Sequence, residues 1–483
     1  MHWIDASIFI LYMISLVAIG FHFMKKNQNA DDYFVSGRNM TRWHIGLSVV
    51  ATDVGGGFSI GLGGLGFVMG LSGSWMLFTG LIGAWLSAVI LIPKIYKLGS
   101  DSKFMTFPQV FNHFFNGKVA FIAGIISAIG YLGFTSSQIL AGAKLASASF
   151  DGLSMTTALV IMGGITVGYT VLGGMKAVIY TDTIQWIVLI GGLLFIGLPL
   201  AYYAVGGYEV IVNTLGPQFF SLTNVSWQQI LNWTITIIPI WFVGMTLYQR
   251  IYASKSETEA KKAWFIAGLF EWPIMAFMGV LLGLFARVAA EQGMFAGIGF
   301  ATPNAMDPEM GLPLLLKQIL PIGLLGIMMS VYFSAILSTA DSCLMAASGN
   351  VLTDIISVLR KKPLNDIHLL RLSQYLTFVL GLIAIFLASM MENVLNMMLY
   401  SYAFMVSGLL IPLLAAVFFK QTNSKAALMA MLGGGFTTLF LTLFVKNLPL
   451  GLDANLFGIT VSLLLFFIGL LVFPQKESTL KIN

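Results

Sequence analysis

One cysteine, Cys343, is all the thiol chemistry available to this chain of 483 residues. A disulfide within the chain is therefore excluded, and so is a metal centre built on cysteine. Charge is scarce too. Asp, Glu, Lys and Arg make up 9% of the residues, against about 25% in a soluble domain, too few to cover a surface that faces water. The five histidines, His2, His22, His44, His113 and His368, fall at the ends of apolar runs or in the loops between them. That leaves no histidine relay and no zinc cluster inside those runs. Neither a Walker loop nor a GxSxG elbow is present, so no catalytic motif argues for an enzyme. The lone "GLGGLG" at 61–66 sits inside an apolar run, where helix packing or unwinding accounts for it better than a nucleotide does. Long polar stretches are missing as well, and no separate soluble domain is left over.

What is present instead is hydrophobic: 58% of the residues, with a mean hydropathy of +0.88. A membrane helix needs about 20 consecutive apolar residues. Thirteen such runs are legible, at 5–24, 42–69, 73–97, 118–147, 153–172, 181–205, 228–250, 262–288, 315–346, 369–390, 393–419, 424–444 and 452–473. The expectation is an all-α polytopic membrane protein, one transport domain over 1–473 with a short cytoplasmic tail at 474–483. Basic residues concentrate in 25–42, 94–118, 250–262, 360–371, 420–425 and the tail, which fall on one side if the spans alternate. Only Lys144, Arg287, Lys317 and Lys446 lie near the other side. By the positive-inside rule the N-terminus is outside and the C-terminus cytoplasmic. The formal charge of +5 is this loop bias and gives no reason to expect nucleic acid. The first run has no basic segment before it and is followed by Lys25 and Lys26, which reads as a retained helix, not a cleaved signal.

Two runs carry residues that a plain span would avoid. In "VVATDVGGGFSIG", 49–61, Asp53 costs about 2.5–3.5 kcal/mol at a bilayer centre, and three consecutive glycines, Gly55, Gly56 and Gly57, each cost about 1 kcal/mol of helix propensity. The seventh run has a matching weakness, "IIPIWFVGM", with Pro239 and Gly244. Irregular backbone is tolerated in hydrocarbon only where it lines a cavity or faces protein. Transporters built from inverted repeats place such breaks at the midplane, where freed carbonyls coordinate a cation and a half-helix N-terminus faces an anionic group of the substrate. Glycine and proline are ordinary in membrane helices, so one break says little. Two breaks five spans apart suggest repeats over about 42–205 and 228–419. The ninth run, "YFSAILSTADSCLMAAS", puts Ala335, Ser338, Thr339 and Ser342 on one face by helical spacing. Their hydroxyls, with carbonyls freed near Ala51 and Val54, offer about five oxygens to a hard monovalent cation; close helix packing by small residues explains the same pattern equally well.

"ADDYFVSGRNM", "VVATDVGGG", "GGMKAVIYTDTIQ", "LYQRIYASKSETEAKKA" and "SAILSTADSCLMAASGNVLTDI" occur in this order, and together they resemble the sodium:solute symporter family, from about 5 to 473. That family includes proline, sugar, choline and sialic acid carriers. The resemblance implies a LeuT-type inverted-repeat (5+5) transporter fold and Na⁺-coupled uptake of a small organic solute by alternating access. Carried over by position, the Na⁺ site is Ala51 and Val54 through carbonyls, with Ala335, Ser338 and Thr339. Some relatives hold a second Na⁺, for which the matching positions are Asp182 and Ser342, while Asp341 stands where those relatives have a serine. An extra carboxylate there strengthens a second cation site or binds a proton instead; Asp182 can equally cap a helix. Proline carriers have an aspartate where Asp53 lies, beside the cation path, which pairs it and makes its burial tolerable.

For the solute, position suggests Asp53, Gly55, Gly56 and Phe58 in the second run, Phe78 in the third, Phe134 and Gln138 in the fourth, and Trp241, Met245 and Tyr248 in the seventh. The aromatic cage of the choline carriers is largely missing, because Asp53 and Gly244 stand at its tryptophan positions. The arginine that would grip a sialic acid carboxylate is absent too. Glu271, in "LFEWPIMAF", is a further intramembrane charge with no assigned role. The expected partners are Na⁺, the solute and the lipid bilayer, and the expected location is a bacterial inner membrane. Proton coupling through Asp53, Asp341 or Glu271 is the alternative within the transporter class, and a channel or solute sensor on the same scaffold is the alternative outside that class.

Overall fold

Apolar runs of this length satisfy their backbone in hydrocarbon by forming helices, since no water is available to do so. The computed structural model describes residues 2–24, 34–150, 152–359 and 366–474, with the side chains of Asp53, Val54, Gly56, Phe58 and a few others inside helices lying outside the described residues. Among the described residues it holds helices and no strand beyond one isolated bridge, Met40 to Ser254. The principal helices are α1 (Trp3–Met24), α2 (Arg42–Val54), α3 (Gly56–Met69), α4 (Trp75–Leu86), α5 (Ile92–Asp101), α6 (Gly117–Ser149), α7 (Met155–Gly192) and α8 (Leu198–Ala204). There follow α9 (Trp227–Val243), α10 (Met245–Ala253), α11 (Glu257–Leu269), α12 (Ala276–Glu291), α13 (Pro308–Ile319), α14 (Leu324–Asn350), α15 (Asp366–Ala388), α16 (Val394–Phe419), α17 (Ser424–Phe444) and α18 (Ala454–Val472).

Nine stretches among the described residues are long and apolar enough to cross a bilayer, and the bent pair α9–α10 makes a tenth. The thirteen expected runs differ from this for local reasons. Helical structure runs on from Ile60 to Asp101, yet Gly70 turns the chain with φ +67° and ψ −141°, a conformation that suits glycine. A Cβ on Gly73 would then lie 2.8 Å from that of Leu65, where a straight helix would separate the two residues by about 12 Å. Similarly, Tyr169 Oη and Thr181 Oγ1 are 3.2 Å apart, against about 18 Å along a straight helix, so α7 is sharply bent between them. The first and fifth runs leave shorter apolar stretches, Trp3–Ile19 and Met155–Val171.

The centre of the molecule is α14. In the span Leu324–Leu359, 89% of the most apolar stretch is buried, compared with 22% for His368–Ala388 and 28% for α18. Small residues on the central helix let α1, α6 and α7 approach it; the outer helices turn large apolar side chains such as Phe386, Phe436 and Leu471 outward. One buried charge cluster ties three elements together. Lys144 Nζ, on α6, lies 2.5 Å from Asp307 Oδ2 and 2.6 Å from Glu309 Oε2 at the start of α13. Glu309 also accepts from the backbone N–H groups of Val394 and Leu395, both at 3.0 Å, where a carboxylate meets the positive end of α16.

Candidate cation and solute site

Helix α2 ends at Val54, and α3 begins at Gly56, with Gly55 between them at φ −14° and ψ −166°. The carbonyls of a helix's last turn have no partner within the helix. Ala51 is one of that turn, and its carbonyl accepts the hydroxyl of Thr339, on α14, at 2.7 Å. Thr339 also bonds the Ala335 carbonyl at 3.2 Å, and Ser338 reaches the same carbonyl at 3.1 Å. Ala51, Ala335, Ser338 and Thr339 are all buried. The structure thus brings carbonyl and hydroxyl oxygens of two distant segments to one point beside the break. Val54 closes the same helical turn; its side chain lies outside the described residues.

A second polar group continues from there. Asp182, on α7, is fully buried. Its Oδ2 accepts from Ser48 Oγ at 2.5 Å and from Arg250 Nη2 at 3.4 Å. Asp341 accepts from Thr170 of α7, and Thr52 bonds Ser342 at 3.2 Å. Arg250 is the surprise. It belongs to a stretch whose basic residues read as a cytoplasmic loop, yet it is buried completely in α10. Its Nε donates to Ser48 at 3.0 Å, its Nη1 to the Thr246 carbonyl at 3.2 Å and its Nη2 to Ser342 at 2.9 Å and to Thr52. A single arginine inside a glycine-broken span was the signal available in the sequence.

The seventh span is broken as expected. Helices α9 and α10 meet at Gly244 with a bend of 41°. Tyr131, on α6, holds the break: its hydroxyl bonds Thr246 Oγ1 at 3.1 Å and accepts the Thr246 N–H at 3.2 Å. Neither residue stands out in the sequence. A third break does not show there either. Between α11 and α12 the chain passes through Trp272 in an extended conformation, φ −138° and ψ 124°, next to a cis Trp272–Pro273 bond. Glu271 is fully buried at this point, against Gly80 of α4.

The solute candidates scatter around these breaks. Gly55 faces Thr339 so closely that a side chain would overlap it. Phe78 stacks edge-on against Trp272 at 5.0 Å, and Phe134 does so against Tyr402 at 4.9 Å. Gln138 is buried and donates to Ser137 at 3.2 Å. Trp241 packs on Gly83 and on Trp264. Met245 and Tyr248 turn toward a different neighbour: the Met245 sulfur accepts the Phe107 N–H at 3.0 Å, and the Tyr248 ring lies 4.4 Å from that of Phe107. The side chains of Asp53, Gly56 and Phe58 lie outside the described residues.

A model of the "Sodium:solute symporter family" matches residues 33–434. The chain belongs to this family. As a family member it is a Na⁺-coupled symporter of small solutes, embedded in a membrane. The symporter is 26% identical over 486 residues to the sodium/glucose cotransporter of Vibrio parahaemolyticus, covering 93% of this chain and 86% of that one. It is 25% identical over 475 residues to the sodium/glucose cotransporter 1 of Ovis aries, covering 89% and 70%. Among solved structures it is similar to a Na⁺-coupled sialic acid symporter in a substrate-bound outward-open state, with a TM-score of 0.81, 20% identity and 99% of each chain covered. A nucleobase-cation-symport-1 family transporter in a closed conformation follows at 0.59, with 14% identity over 94% and 97%. These likenesses carry the LeuT-type fold.

Proposed function

We propose that this symporter carries a small organic solute into the cell, drawn by one Na⁺ bound to the carbonyls of Ala51, Val54 and Ala335 and the hydroxyls of Ser338 and Thr339. The observation behind this reading is the 2.7 Å hydrogen bond from Thr339 to the Ala51 carbonyl. A cation arriving there exchanges its water for oxygens already gathered, and it holds α2 against α14. Release of the ion to the cytoplasm loosens that junction, which is the event alternating access needs. One Na⁺ crossing 100 mV yields about 2.3 kcal/mol, and a tenfold gradient adds about 1.4 kcal/mol. Together they support accumulation of several hundredfold.

The solute is read as binding between the breaks at Gly55 and Gly244, with Asp53 on the cation side. Gly56, Phe58, Phe78, Phe134, Gln138, Trp241, Met245 and Tyr248 are the candidate surroundings. Sugars are the first solutes to test, because the relatives named above are sodium/glucose cotransporters. The proposed repeats span about 42–205 and 228–419, and the basic segments favour an outside N-terminus and a cytoplasmic C-terminus in a bacterial inner membrane. Proteoliposomes with Na⁺ and pH gradients imposed separately test the proposal. Uptake is expected under an inward Na⁺ gradient at equal pH; uptake that follows the pH gradient without Na⁺ would overturn it.

A further inference from the structure

At the end of the bundle where α9, α16 and α18 begin and α17 stops lies a polar cavity of about 700 Å³ that holds none of the solute candidates. Gln229, Asn396, Tyr400, Lys446, Asp453 and Asn455 are among the residues lining it. Two asparagines fix its wall. Asn232, on α9, donates to the Gly451 carbonyl at 3.1 Å and accepts the Asp453 N–H at 3.0 Å. Asn455, on α18, donates its amide to the Ile235 carbonyl and to Thr236 Oγ1, both at 3.0 Å. The Ile235 carbonyl can only accept, so the amide oxygen of Asn455 is the end left over. Asn455 is fully buried, and that oxygen has no hydrogen-bond partner. Asp453 stands at the N-cap of α18 yet makes no capping bond with its side chain. Neither Asp453 nor Lys446 forms an ion pair among the described residues.

An apolar groove of about 230 Å³ starts from the same place. It shares Tyr400 and Thr442 with the cavity and runs along Ile129 and Leu132 of α6, Leu387 of α15, Phe404 of α16 and Leu439 of α17. Ile129 and Leu439 are exposed, so the groove opens on the lipid side. We infer that the two together hold a phospholipid with a primary-ammonium headgroup, the head in the cavity and an acyl chain in the groove. Charge and donor count decide the head. A phosphate needs a cation, which Lys446 supplies. Asp453 and the Asn455 oxygen both accept, so the far end of the head must donate. A primary ammonium brings N–H donors; a quaternary ammonium brings none. Tyr400 stands at the junction, where a ring with an apolar body and a polar tip suits the membrane interface. The bound lipid braces the start of the broken span α9–α10 against α16 and α18. This inference is independent of the Na⁺ reading.

The probes are dioleoyl phosphatidylethanolamine, dioleoyl phosphatidylcholine and free phosphoethanolamine, titrated onto the purified full chain in detergent and followed by native mass spectrometry. The unmodified protein is expected to hold the ethanolamine lipid about tenfold or more tightly than the choline lipid, as fits hydrogen bonds to a charged group. Asp453→Asn should abolish that preference. Asp453 is exposed and asparagine serves equally at an N-cap, so the variant is expected to fold. Lys446→Gln should weaken both lipids alike, because they share the phosphate. Leu439→Trp, which fills the groove, should weaken both as well. Free phosphoethanolamine has no chain to bury and should bind about a hundredfold more weakly than the lipid. Equal affinity for the two lipids would overturn the inference, as would a preference that survives Asp453→Asn. Phosphoethanolamine binding as tightly as the lipid would overturn it too, since the cavity would then serve a soluble ligand.

Discussion

Gly55 and Thr339 are packed so closely that no side chain fits between them: a Cβ on Gly55 would lie 2.6 Å from that of Thr339 and overlap its hydroxyl. The glycine therefore does more than loosen a helix. It lets the break in α2–α3 approach the one hydroxyl that also bonds the Ala51 carbonyl.

Gly55→Ala is expected to reduce uptake by about tenfold or more, since forcing atoms into a packed site costs about 1–3 kcal/mol. The variant should still reach the membrane, because alanine favours helix over glycine. Uptake per molecule of membrane protein is the measurement. Normal transport would mean that the contact with Thr339 is not used in the cycle.

The charge cluster at Lys144 gives an asymmetric expectation. Lys144→Met leaves Glu309 buried without its cation and should destabilise the protein by about 3–5 kcal/mol. Asp307→Asn should cost about 1 kcal/mol or less, because Asp307 is partly exposed and asparagine can still cap α13 in its place. Thermal unfolding of the two variants in detergent checks the order. Equal losses would contradict it.

Tyr131→Phe removes the hydroxyl that bonds both the side chain and the N–H of Thr246 at the Gly244 break. A loss of about 1–3 kcal/mol is expected where a buried donor is left without its acceptor. Because the lost bonds lie at a break, the transport rate should fall along with stability, a pairing that uptake assays and thermal unfolding on the same preparation will show.

Much of this architecture could be read from residue order alone. Long apolar runs have one backbone solution in lipid, and glycine beside proline or aspartate marks where that solution fails, so the breaks at Gly55 and Gly244 were both legible. The third break at Trp272 was not, although Glu271 and Pro273 adjoin it, because a single proline in a membrane helix is common and tolerated. Helix ends at Gly70 and between Tyr169 and Thr181 blur for a related reason: helical backbone continues through turns that hydropathy treats as ends. Arg250 was hidden by its company. Among Lys255, Lys261 and Lys262 it counts as one more basic residue of a loop, and only the fold reveals that it faces Asp182 and not water. Burial of a charge depends on partners contributed by distant segments, here Ser48, Thr52, Asp182 and Ser342, and no local pattern encodes them. Met245 and Tyr248 illustrate the same limit, since helical position placed them near the break but could not say that Phe107 would be their neighbour.

The claim at the centre of the account is that Na⁺ binds where Thr339 meets the Ala51 carbonyl. The direct measurement is the Na⁺ concentration for half-maximal uptake in Ser338→Ala, Thr339→Ala and the double variant. A hydrogen-bond-strength contact to a charge is worth about 1.5–3 kcal/mol, so each single change should raise that concentration by about tenfold or more. An unchanged Na⁺ dependence in a well-expressed double variant would contradict the account.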